Sequence, residues 1–439
     1  MCSTRTAPTT RETAGRVRKR RKRTFGATKL EEELASGLHL AEPPCRYHDA
    51  CGGCSWQAVS YERQLDIKRD WVDEVFRDAG VEGVRVPPPI PSPQPYGYRN
   101  KMEFSFAARR WLTREEISSG EEFRRDFALG LHAPGAFDRV LDIDTCPLQS
   151  EAANAYLAAT REFAIASGEA PYHLRENTGF YRYLIVRRGF NTDETLILLV
   201  TTERKPAVMA AYVEHLEASG LKPACVANGV TARLGSTSEG AEIHIDAGEA
   251  TMSERLKDGV FAVAPDGFFQ PNTLAAELLV DVVSSFAALT GSETVLDLYC
   301  GVGVLSILLA GNADRVIGIE KMEAAVDQAR MNASLNDTPN AYFLSGDLDE
   351  GIRHLPDDIR VDVVVTDPPR AGMHANTVQA LRGLAPQRIV YVSCHPKPQA
   401  ENLAVLCAGD LYYVAETQPV DLFPQTPHVE NVALLIRRT

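Results

Sequence analysis

The chain has 439 residues, 44% hydrophobic and 24% charged, enough for two or three domains with cores of their own. No apolar run reaches the ~18 residues of a membrane span, and the N-terminus lacks the apolar stretch of a secretory signal, so a cytoplasmic protein with no membrane partner is expected. The net charge is −13, yet residues 1–29 hold ten Lys and Arg against one acid, Glu12, which leaves −22 on the rest.

The basic stretch, densest at Arg16–Arg23, predicts an arm over 1–40 without fixed structure. Its charge suits a nucleic-acid partner, because phosphate contacts dominate nonspecific affinity. An acidic body beside it suits a high-salt cytoplasm, where long-range charge is screened. Cys45, Cys51 and Cys54 follow closely. Nine cysteines, unevenly clustered, in a chain without a secretory signal point to metal binding or catalysis and not to disulfides. Residues 57–79 read as an amphipathic helix with Leu65, Ile67, Trp71, Val72, Val75 and Phe76 as its stripe and Gly80 as its stop. A proline-rich connector, Val86–Pro95, leads to strands at Lys101–Ala107, Phe127–His132, Tyr183–Arg188 and Thr195–Thr201, the last two joined by a turn at Asn191–Glu194. With helices at 150–167 and 205–219, residues 41–265 form an α+β region. From Asp266 the texture changes. Helices at 273–289, Val304–Gly311 and Met322–Asn336 alternate with strands Thr294–Leu298, Arg315–Glu320, Tyr342–Ser345, Val361–Thr366, Arg388–Ser393 and Leu411–Pro419. Residues 266–439 are therefore expected to be an α/β domain with a parallel, doubly wound sheet that binds ligands at the carboxyl ends of its strands.

The motifs fall at those ends. In Asp297-Leu-Tyr-Cys-Gly-Val-Gly-Val304, Gly301 and Gly303 allow a ligand close to a helix N-terminus; alone, such a loop is as readily a structural turn. Glu320, at the end of the next strand, suits ribose hydroxyls, and Asp347 the adenine. That order of acids suits S-adenosylmethionine better than NAD. Asp367-Pro-Pro-Arg370 follows a buried strand, and its rigid turn fixes a carboxylate beside the donor. Amino-directed methyltransferases usually have an aromatic where Arg370 stands, and RNA cytosine-5 enzymes usually carry a cysteine in this motif. Cys394, in a Ser-Cys-His-Pro turn, and Glu430, at the entrance of an apolar strand, supply a thiol and a carboxylate. A pyrimidine carbon is a poor nucleophile until a thiolate adds beside it, and a base must then remove the displaced proton. Cys300 is the rival nucleophile, better suited to packing beneath the cofactor loop.

These motifs, with Phe268-Phe-Gln-Pro-Asn272, resemble in order and spacing the RNA uracil-5 methyltransferase family over residues 45–439. The resemblance implies a Rossmann-like class I methyltransferase domain, Cys394 as nucleophile, Glu430 as base, and Gln270, Tyr299, Glu320, Asp347 and Asp367 lining the cofactor or uracil site. Val304 departs from the asparagine of many relatives. Only about 44 residues precede Cys45, too few for the small RNA-binding barrel that many relatives carry. Cys45, Cys51 and Cys54, joined by Cys146, could hold zinc or an iron–sulfur cluster; the arrangement resembles the 4Fe-4S site of the family's ribosomal RNA members. The substrate so implied is uridine in large-subunit (23S) ribosomal RNA, with transfer-RNA uridine or RNA cytosine as alternatives. No obligate protein partner is evident.

Overall fold

A computed structural model describes residues 24–235, 240–356 and 359–438. The basic run at Arg16–Arg23 lies outside the described residues. Part of the arm expected to lack structure is helical: α1 spans Phe25–Ser36, capped by the Thr24 hydroxyl and ended by Gly37 at φ 68°. The helix is docked, which its composition does not reveal. Phe25 stacks on Trp71 at 4.6 Å, and Trp56 Nε1 donates to the Gly26 carbonyl at 3.1 Å. The next helix, α2 (Tyr61–Asp78), ends as expected before Gly80 at φ 73°. Its buried face is rotated from the expected stripe. Ile67, Val72 and Phe76 are buried together with Gln64 and Lys68, while Leu65, Trp71 and Val75 stay partly exposed. The two polar residues are buried because both have partners in the C-terminal domain.

The α+β region is an eight-stranded sheet. In chain order it holds β1 (Lys101–Ala107), β2 (Arg110–Trp111), α3 (Arg114–Ser119), β3 (Ala128–His132), β4 (Val140–Asp142), α4 (Glu151–Ala166), β5 (Tyr181–Arg188), β6 (Thr195–Thr201), α5 (Pro206–Ala218), β7 (Cys225–Val230) and β8 (Glu242–Gly248). The spatial order is β2-β4-β3-β1-β5-β6-β7-β8. On one face Phe104, Leu184 and Ile197 pack with Leu157 and Tyr212 of α4 and α5. On the other, Ile185, Leu198 and Val200 share a core with residues of the last domain, including Ile307 and Val326. A hairpin of β9 (Met252–Leu256) and β10 (Gly259–Val263) completes that interface.

The last domain continues with α6 (Thr273–Ala287), β11 (Thr294–Leu298), α7 (Val304–Ala310), β12 (Arg315–Glu320), α8 (Glu323–Leu335), β13 (Ala341–Ser345), α9 (Leu348–Arg353), β14 (Val363–Thr366), α10 (Ala375–Leu384), β15 (Arg388–Ser393), α11 (Pro396–Cys407), β16 (Tyr412–Val420) and β17 (Glu430–Arg437). Its seven strands lie in the order β13-β12-β11-β14-β15-β17-β16. The first five are parallel, but β17 inserts antiparallel to both β15 and β16, which corrects the expectation of a wholly parallel sheet. A parallel return needs a crossover, usually helical, and residues 421–429 contain no helix. Val72 and Phe76 of α2 join the core of this domain beside Leu381 and Leu403, so a helix from the start of the chain braces the sheet at its end.

Candidate active site

The loop after β11 turns sharply. Tyr299 has φ 61°, Gly301 53° and Gly303 85°, a conformation that costs any residue with a Cβ. At Gly303 a Cβ would also lie 3.0 Å from the Phe343 ring. Beside Gly301 nothing stands within 4 Å, so the backbone there borders open space. Asp297 lies beneath the loop, fully buried, accepting from Ser306 Oγ at 2.5 Å, and burial pushes its carboxyl up to about 7. Glu320, at the end of β12, accepts from the backbone N–H of Gly301 at 3.3 Å and of Met322 at 2.9 Å. Asp347 follows β13, exposed, with Lys321 Nζ at 3.7 Å. Acids and glycines thus line the carboxyl ends of three adjacent strands, as their order in the sequence suggests.

Cys394 and Glu430 lie at the joined ends of β15 and β17. Ser393 of β15 pairs with Asn431 of β17; Cys394 directly follows the first of these residues and Glu430 directly precedes the second, and the two are near enough for Glu430 to act on the thiol. Asp367 stands at the end of the neighbouring β14. Glu430 is buried; burial, then the nearby Asp367, raises its carboxyl well above the ordinary range. Burial pushes Asp367 up to about 6. The Cys394 thiol is pushed up to about 11 by burial, then by Glu430 and Asp367, while Arg370 pulls it down. Arg370 also meets His428, at 3.3 Å; burial, then Arg370, lowers that imidazole to about 4, so it is neutral at physiological pH. Cys300 is no rival. It is buried, its sulfur fills the space where a Cβ on Gly318 would sit, and burial pushes its thiol far up. Phe268–Asn272 reaches the same end of the sheet, because Asn272 Nδ2 donates to the Leu422 carbonyl at 3.1 Å; the Gln270 carbonyl accepts from Asn100 at 2.7 Å.

Sequence reasoning missed the buried polar groups that fix this geometry. Gln399 donates to the Tyr391 and Asn431 carbonyls at 2.9 and 3.0 Å and accepts from Asn431 Nδ2 at 2.8 Å, which locks β17 beside the site. Lys68 of α2 donates to Asp421 at 2.7 Å, both fully buried. His395 sets its ring edge-on to Trp71 at 5.6 Å. No periodic pattern marks such residues.

Cys45, Cys51, Cys54 and Cys146 are free thiols brought together from two distant stretches. Burial, then the three other sulfurs, pushes Cys54 up to about 12. The Gly53 N–H donates to Cys51 Sγ at 3.4 Å. Among the described residues no group of three or more His, Cys, Asp or Glu is arranged to hold a metal ion, which leaves the expected metal centre without support in that form. No helix among the described residues is long and apolar enough to cross a membrane.

A family model described as tRNA (Uracil-5-)-methyltransferase matches residues 215–438. An uncharacterised RNA methyltransferase of Chlorobaculum tepidum is 38% identical over 92% of this chain and 85% of its own length, and one of Bacteroides thetaiotaomicron 35% over 90% and 88%. Among solved structures, Pyrococcus abyssi tRNA (uracil-54, C5)-methyltransferase in complex with S-adenosyl-L-homocysteine superposes with a TM-score of 0.70 at 29% identity, over 88% of this chain and 86% of that one.

Proposed function

Because the chain belongs to the tRNA (uracil-5-)-methyltransferase family, we propose that it methylates carbon 5 of a uridine in structured RNA through a covalent adduct with Cys394. It is an RNA methyltransferase with the class I fold, and S-adenosylmethionine supplies its electrophilic methyl group. The observation that carries the adduct reading is the pairing of Ser393 with Asn431, next to which Cys394 and Glu430 stand close enough for the carboxyl to act on the thiol. Glu320 and Asp347 would hold the cofactor's ribose and adenine, Gly301 and Gly303 admit it to the backbone, and Tyr299, Asp367 and Gln270 line the reacting end. The target uridine leaves its stack to enter the pocket. The Cys394 thiolate adds to carbon 6, making carbon 5 nucleophilic enough to take the methyl group. Glu430 then removes the carbon 5 proton, the carbon–sulfur bond breaks, and the thiolate returns. A carboxylate raised toward neutrality is a stronger base than an ordinary one.

The substrate is uridine in large-subunit ribosomal RNA on the strength of the four-cysteine set. Transfer RNA is the second reading, favoured by the substrate of the Pyrococcus abyssi enzyme. Cys45, Cys51, Cys54 and Cys146 would hold a 4Fe-4S cluster. In support, an all-thiol donor set with the Gly53 N–H aimed at Cys51 Sγ suits a cluster.

The test is methyl transfer from labelled S-adenosylmethionine to unmodified ribosomal and transfer RNA, read by nucleoside mass spectrometry. Label as 5-methyluridine in ribosomal RNA alone is expected. Label in transfer RNA alone replaces the substrate, and 5-methylcytidine overturns the reaction. Cys394→Ala should abolish turnover, and Glu430→Gln should accumulate a methylated protein–RNA adduct. Full turnover by either variant would sink these roles.

A further inference from the structure

Gln425 lies in the connection between β16 and β17, five residues before Glu430. Its backbone has φ 67°, a left-handed conformation unfavourable for a residue with a Cβ. Such strain persists only where neighbours over-determine it, and it collects at functional sites. Gln425 is buried, and three hydrogen bonds hold it. Gln64 of α2 donates from Nε2 to Gln425 Oε1 at 3.0 Å, and its Oε1 accepts from the Gln425 N–H at 3.0 Å. The Trp56 N–H donates to the Gln425 carbonyl at 3.0 Å. One residue earlier, the Pro424 carbonyl accepts from Tyr98 Oη at 3.1 Å.

Both outer bonds lead back to the cysteines. Trp56 is two residues beyond Cys54. Tyr98 is flanked by Gly97 and Arg99, whose N–H groups donate at 2.8 Å to the carbonyls of Pro147 and Leu148, directly after Cys146. The two arms of the cysteine set therefore converge on residues 424 and 425.

We infer that Gln425 is a positioning residue for Glu430, and that the cysteine set, acting through Trp56 and Tyr98, holds it in place, so that an assembled cysteine site is coupled to the proton-removal step. The inference rests on the reading of Glu430 as the base. A loosened connection would spoil the position of the carboxylate while leaving Cys394, directly after β15, and the cofactor loop untouched.

RNA carrying 5-fluorouridine at the target separates the steps. Fluorine replaces the proton that Glu430 removes, so the adduct forms by thiolate addition and methyl transfer and then stops, whatever the state of the base. Gln425→Gly, which accepts the backbone conformation, should bind S-adenosylmethionine and form the 5-fluorouridine adduct as the parent does. On ordinary RNA it should turn over about tenfold to a hundredfold more slowly, as expected of a catalytic group displaced by ~1 Å, and accumulate methylated adduct. Gln64→Met should follow in the same direction. Hydrogen exchange over residues 421–430 should quicken in both, and in Cys54→Ser as well.

Unchanged turnover in Gln425→Gly would overturn the inference. So would loss of cofactor binding and 5-fluorouridine adduct in step with turnover, which marks a general structural role. Unchanged exchange in Cys54→Ser would remove the coupling to the cysteines. If Glu430→Gln itself accumulates no adduct, the base assignment fails first; if it does and Gln425→Gly does not, only the positioning role falls.

Discussion

Two ionisable residues at the strand ends hold their protons more tightly than they would in water, and each makes a pH dependence that can be measured. Cys394 is held up at about 11, with Arg370 the one named charge opposing that rise. Only the thiolate attacks, so the rate of 5-fluorouridine adduct formation should climb about tenfold per pH unit between pH 7 and 9. Arg370→Ala should lower it throughout, because the thiol loses its cationic neighbour; a flat profile would show that Cys394 is already ionised at pH 7 and is not held up. Asp297 makes a different prediction. Its folded pKa, about 7, lies above the ordinary carboxylate value, so it contributes stability that is present below that ordinary value and is lost as pH rises through about 7. Asp297→Asn carries no such dependence. Its melting temperature relative to the parent should therefore increase between pH 4.5 and pH 8, superimposed on a constant loss from the Ser306 bond. A difference that does not change with pH would mean that Asp297 is ionised throughout.

At the scale of elements, α2 makes the clearest stability prediction. Lys68 and Asp421 are fully buried and 2.7 Å apart, one on a helix near the N-terminus and the other at the end of β16. Removing one partner strands the other charge, which costs about 3–5 kcal/mol, whereas replacing both with apolar residues is often neutral. Lys68→Met should therefore lower the denaturation midpoint strongly, and Lys68→Met with Asp421→Leu should recover most of it; additive losses in the double variant would show that the two do not act as a pair. The same helix shows what a sequence discloses. Its position was legible from its periodicity and from Gly80, but its buried Gln64 and Lys68 were not, since their partners lie 361 and 353 residues away. Strands such as Thr294–Leu298, Arg315–Glu320 and Arg388–Ser393 coincide with expectation because β-branched and apolar runs end at turn residues. β8 was missed because its side chains are largely exposed and offer no alternation. The candidate site residues stand in motifs that the sequence displays, while the insertion of β17, which sets Asn431 beside Ser393, depends on pairing that no local pattern encodes.

For the whole molecule the question is how a body of net charge −22 engages a polyanion. The described chain begins at Thr24, next to Phe25. Phe25 stacks on Trp71, which stands edge-on to His395, the neighbour of Cys394. Gly26 is close against Pro427, near His428. Residues 1–23 hold nine Lys and Arg with a single acid, and Thr24, which follows them in sequence, is two residues from Gly26 beside Pro427. A basic segment that engages RNA would raise its local concentration, and counterion release would make such binding weaken steeply with salt. Deleting residues 1–23 should raise KM for RNA at low salt, leave kcat and cofactor affinity unchanged, and flatten the salt dependence by about one unit of slope for each phosphate no longer neutralised. As salt rises, repulsion from the acidic body is screened too, so the parent and the truncated chain should converge toward ~1 M. If activity instead requires molar salt in both and the truncation changes neither KM nor slope, the body binds RNA by means other than phosphate pairing and the basic arm takes no part in it.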